Sequence, residues 1–165
     1  MTRTGLAALG GYIATIYLAN LLIVTVGIVP VGLGLMAPAG VYAAGLAFSL
    51  RDAVRETLGP RWMLVGILAG AALSALLSPA LALASGAAFL LSELADAAVY
   101  EPLRARGRTL ALAASNVVGL AVDSALFLWL AFGALDFLAG QIVGKALMII
   151  PAVAFLALWR RRQVR

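Results

Sequence analysis

The sequence predicts an all-α integral membrane protein with six transmembrane helices, on three observations. Hydrophobic residues make up 64% and charged residues 12% of the 165 positions, whereas a soluble domain is about half apolar and a quarter charged. The mean hydropathy is +1.08. Six stretches approach the roughly 20 residues that a helix needs to cross about 30 Å of hydrocarbon. When the chain is threaded through them, all its arginines fall on one side.

The spans are approximately 7–28, 38–58, 62–78, 80–100, 109–133 and 139–159, within a single domain over 1–165. The first is too long for the apolar part of a signal peptide and lacks a small-residue cleavage site, so it is kept as a helix. Pro30 and Pro38 separate it from the second, and Gly59-Pro60 separates the second from the third. Ser78-Pro79, Pro102 with Gly107, and the stretch Gly133–Gly140 punctuate the remainder. Segments 29–37 (VPVGLGLMA) and 133–140 (GALDFLAG) have two readings: short extracellular turns, or irregular backbone dipping into the membrane under cover of protein.

The arginine partition orients the bundle. Both termini and the connections after the second and fourth helices hold Arg3, Arg51, Arg55, Arg61, Arg104, Arg106, Arg108, Arg160, Arg161, Arg162 and Arg165. The opposite connections hold none, so the positive-inside rule puts both termini in the cytoplasm of a multi-pass protein of the cell membrane. The net charge of +5 thus reflects membrane topology, and no nucleic-acid partner is expected. Cysteine and histidine are absent, which excludes disulfides, thiol catalysis, Ser/His catalysis and most zinc or haem sites. No metal or cofactor is expected.

Polar residues within the spans are the candidates for function. A rise of about 1.5 Å per residue converts position to depth. Arg51 and Asp52 on the second helix, Glu93 and Asp96 on the fourth and Asn116 on the fifth then form an inner polar layer. Asn20 on the first helix, Asp123 on the fifth, and Gln141 and Lys145 on the sixth form an outer one. Asp123 and Lys145, the only lysine, match in depth and are opposite in sign, so they are expected to pair. Asp52 and Arg55, three apart on one helix, are expected to pair with each other and leave Arg51 to Glu93. Two readings compete for these charges: helix ends whose long side chains reach the interface, or a path for substrate or ion, since an ionisable group at membrane depth is costly. Their number across four helices favours transport. A further echo aligns Gly45, Phe48 and Asp52 with Gly86, Phe89 and Glu93, either a trace of a repeat or a coincidence in a chain rich in Ala, Leu and Gly.

The stretches AGLAFSLRDAVRETLG, AAFLLSELADAAVYEPLR, SNVVGLAVDSALFLWLAFG and GQIVGKALM, in order over about 39–158, resemble the VUT family. That resemblance implies an importer of a 7-deazaguanine such as preQ0 or preQ1, the queuosine precursors. It also implies six helices similar to the substrate-binding subunits of energy-coupling-factor transporters. A guanine-like edge presents two donors that a carboxylate accepts, with Asn or Gln amides completing recognition. The substrate-binding candidates are therefore Asn20, Arg51, Asp52, Glu93, Asp96, Asn116, Asp123, Gln141 and Lys145. No G-x-x-x-x-G-K-[ST] motif occurs, so an ATP-driven alternative requires a separate energising module, with this chain as the substrate-capture subunit. An intramembrane enzyme lacks the residues it would need. The expected partners are a purine-like small molecule and the lipid bilayer.

Overall fold

The computed structural model describes residues 2–163. It contains six helices and one β-hairpin: α1 (Arg3–Val26), β1 (Ile28–Gly32), β2 (Leu35–Pro38), α2 (Val41–Thr57), α3 (Pro60–Ser74), α4 (Pro79–Leu103), α5 (Arg108–Phe132) and α6 (Leu138–Gln163). Three helical segments are long and apolar enough to cross a membrane: Arg3–Val26, Pro79–Leu103 and Ala113–Phe132. Pro60–Ser74 and Leu138–Pro151 are shorter apolar helices.

Local chemistry sets the helix ends. The Thr2 hydroxyl accepts from Gly5 N–H at 3.1 Å and caps α1, and Ser78 caps α4 by accepting from Leu81 N–H at 3.3 Å. Pro60 and Pro79 open α3 and α4, where a missing N–H costs nothing. Several helix ends depart from the sequence reading, α3 stopping at Ser74 and α2 starting at Val41 among them. α3 begins at its proline rather than after it, and α4 continues through Pro102 to Leu103.

Segment 29–37 is neither a plain turn nor irregular backbone. It is most of an antiparallel hairpin, with Ile28 opposite Pro38 and Val29 opposite Ala37. Leu33 and Gly34 form its turn, both at positive φ (53° and 73°), as a tight hairpin turn of the I′ kind demands. Leucine at that position, and a proline within β1, are why strand signals were weak in the sequence. Ala39 N–H closes the hairpin base on Gly27 C=O at 2.8 Å. Val31 and Ala37 pack with Val41, so the hairpin sits directly on the start of α2.

The core joins α1, α2, α3 and α4 through Leu9, Tyr12, Ile16, Phe48, Val54, Met63, Ile67 and Phe89. A second cluster sets Ala84 and Ala88 of α4 against Phe127 and Leu128 of α5. Close approach needs small residues. A Cβ on Gly66 of α3 would fall 2.6 Å from the Tyr12 ring, and one on Gly45 of α2 would fall 2.7 Å from the Lys145 carbonyl of α6. Large apolar side chains such as Leu68, Leu83, Val117 and Ile150 point outward. That surface suits lipid and not water.

Candidate functional site: two polar cavities in the helix bundle

Three helices turn polar residues inward, and on α4 these share one face at three- and four-residue steps. On α4 these are Ser85, Glu93 and Asp96, all buried, with Phe89 between. α2 contributes Arg51, also buried, and α5 contributes Asp123 and Ser124. The nine candidates do not form one site. They divide between two cavities.

The first lies toward the hairpin end of the bundle, is narrow, with about 20 Å³ of open space, room for about one water, and takes Asn20, Ser85, Asp123, Gln141 and Lys145 as its polar lining. Ile16, Val41, Phe89 and Phe127 are among its apolar walls. Lys145 Nζ donates to Asp123 Oδ2 at 2.6 Å and to Ser124 Oγ at 3.0 Å, with all three residues buried. Asn20 Nδ2 donates to Ser85 Oγ at 3.0 Å and, at 3.4 Å, to the Ile16 carbonyl. That leaves Asn20 Oδ1 without a protein partner, and Gln141 Oε1 is in the same condition. Two buried acceptors therefore border one cavity. Burying an unpaired amide oxygen is costly, so the arrangement suits a ligand that brings N–H or O–H donors.

The second cavity holds about 190 Å³ and is lined by Arg51, Asp52, Arg55, Glu56, Asp96, Tyr100, Ser115 and Asn116. Arg51 is its ionic centre. Its Nε and Nη2 both donate to Asp52 Oδ1, at 3.1 and 2.9 Å, and its Nη1 pairs with Glu93 Oε1. The expected Asp52–Arg55 pair is replaced. Asp52 is held by its neighbour Arg51, and Arg55 crosses to α4, with Nη1 3.7 Å from Asp96 Oδ2 and 3.9 Å from Glu93 Oε2. The reason is geometric. A buried guanidinium with a five-donor fork takes two carboxylates at once, so Asp52 turns to it, and the half-exposed Arg55 remains for the inner acids of α4.

Sequence reasoning did not offer Ser85, Ser124, Tyr100 or Ser115 as lining residues or partners, and it gave Arg55 to Asp52. Ser85 was legible, because it lies eight residues before Glu93 on one face of α4. Ser124 was not, because a serine in an apolar helix usually bonds its own backbone. Among the described residues no cluster of His, Cys, Asp and Glu is arranged to hold a metal.

The family described as "Putative vitamin uptake transporter" matches residues 74–159, just over half of the sequence. The chain belongs to this family. The match runs from the end of α3 through α6 and so includes Glu93, Asp96, Asn116, Asp123, Gln141 and Lys145. Asn20, Arg51 and Asp52 lie outside it. No curated protein and no solved structure matches the chain.

Proposed function

We propose that this member of the vitamin uptake transporter family imports a flat, donor-rich heterocycle, a 7-deazaguanine of the preQ0/preQ1 kind, and binds it with the residues that line the first cavity, which opens from its narrow form to admit it. The observation that carries this reading is the pair of unpartnered acceptors, Asn20 Oδ1 and Gln141 Oε1, beside the Asp123 carboxylate. A guanine-like edge offers a ring N–H and an exocyclic amine to such a set, and Phe89 and Phe127 supply apolar walls for a ring. Of the nine candidates, Asn20, Asp123, Gln141 and Lys145 then touch or frame the substrate. Arg51, Asp52, Glu93, Asp96 and Asn116 serve its passage through the second cavity.

In this reading all six helices form one membrane domain and cross the cytoplasmic membrane, with the hairpin completing the short α2 and both termini inside. The arginine partition supports that orientation. A second reading is a capture subunit similar to those of energy-coupling-factor transporters, in which ATP-driven import needs a separate energising module, since the sequence carries no G-x-x-x-x-G-K-[ST] motif.

The test is uptake. Cells unable to make or import the precursor receive this gene, and queuosine in their tRNA is measured. Queuosine should return with the unaltered chain and fall with Asn20→Ala or Gln141→Ala at equal membrane abundance. No queuosine with the unaltered chain overturns the substrate. Dependence on a co-expressed ATP-driven module selects the second reading.

A further inference from the structure

The two cavities share their walls. α2 contributes Val41 and Ala44 to the first and Arg51 and Arg55 to the second. On α4 the sequence of roles along a single face is Ser85, Phe89, Glu93, Asp96, passing from one cavity to the other. α5 does the same in reverse, with Asp123 at the first and Asn116 at the second. A path lined by the same three helices is thus interrupted in its middle.

The interruption has two tiers. The upper is aromatic: Phe48 of α2 and Phe89 of α4 meet with ring centroids 5.8 Å apart, and Tyr12 of α1 stands edge-on to Phe89 at 6.4 Å. The lower is ionic: Arg51 of α2 pairs with Glu93 of α4. The tiers are stacked, because the Arg51 guanidinium carbon lies 4.8 Å from the Phe48 ring centre, a cation–π contact. They also occupy successive turns of the same two helices. Phe48 precedes Arg51 by three residues, and Phe89 precedes Glu93 by four. Tyr12 is fully buried within electrostatic reach of Arg51, Glu93 and Asp123, and its hydroxyl has no partner among the described residues.

We infer that Phe48, Phe89 and Tyr12, latched by Arg51–Glu93, are the gate between a binding chamber and an exit chamber. This rests on the transport reading above. The aromatic contact is short-range and made by side chains alone, so a small outward shift of α2 or α4 opens it. The ion pair makes that separation cooperative, because neither charge is stable alone in a low-dielectric interior. The orphaned Tyr12 hydroxyl then has a polar solute or a freed Glu93 carboxylate to meet when the rings part.

The chain has no cysteine, so single-cysteine labelling is clean. Ala44→Cys reports the first cavity and Tyr100→Cys the second, in native membrane vesicles of both orientations. A charged, impermeant thiol reagent is applied on the face from which Tyr100→Cys reacts. From that face Ala44→Cys should stay unlabelled. Adding Phe89→Ala, or separately Phe48→Ala, should raise its labelling to the rate of Tyr100→Cys, and Phe89→Leu, which keeps the bulk, should not. Labelling of Ala44→Cys as fast as Tyr100→Cys with the gate intact overturns the inference. So does protection that persists in both alanine variants while each remains monodisperse on gel filtration. Because the readout is access and not uptake of a chosen solute, failure of the deazaguanine assignment leaves this result readable.

Discussion

Lys145 of α6 places its Nζ 2.6 Å from Asp123 Oδ2 of α5, and a hydrogen bond to Ser124 Oγ holds it there. Both charges are buried beside the first cavity, so each neutralises the other's desolvation. Removing one partner of such a pair costs about 3–5 kcal/mol, mostly for the charge left behind. Asp123→Asn should therefore lower the melting temperature in detergent and reduce uptake sharply. The double variant Asp123→Asn, Lys145→Met should recover most of the stability. Losses that simply add would show that the two residues act separately.

Glu93 of α4 reaches across the bundle to hold Arg51 of α2. Glu93→Gln leaves that guanidinium with Asp52 alone and should abolish uptake while the protein still reaches the membrane. Arg61 is exposed just inside α3, and Arg61→Gln should change stability by no more than about 0.5 kcal/mol and leave uptake intact. Uptake assays on membrane-normalised amounts check both, and normal transport by Glu93→Gln would reduce the ion pair to a packing contact.

Gly66 lets α3 lie against the Tyr12 ring. Gly66→Leu should cost about 1–3 kcal/mol through overpacking. Thermal unfolding in detergent measures this, and an unchanged midpoint would mean that α3 is free to move away from α1.

Topology gives a fourth prediction. Cysteines introduced at Gln163 and at Gly133 should report opposite sides of the membrane, with only the second labelled in intact cells by an impermeant reagent. The reverse pattern would invert the orientation proposed above.

The sequence by itself determined the class of environment, the family resemblance, and the order of the polar residues along each helix. Composition fixes the solvent a chain can tolerate, and residue number along a helix converts directly to height. The match in height and sign of Asp123 and Lys145 was legible for that reason. What only the tertiary structure decided was rotation and neighbourhood. Arg51 takes both Asp52 and Glu93, Arg55 crosses to Asp96, and Phe48 closes on Phe89 because long side chains of α2 and α4 reach each other across the bundle. The hairpin was equally hidden, since its turn uses a leucine at positive φ in place of the usual glycine or asparagine. Depth is a one-dimensional count that the chain carries within itself. The division of nine polar residues between two cavities depends on how six helices turn about their axes, and that is set by the close packing of surfaces far apart in sequence.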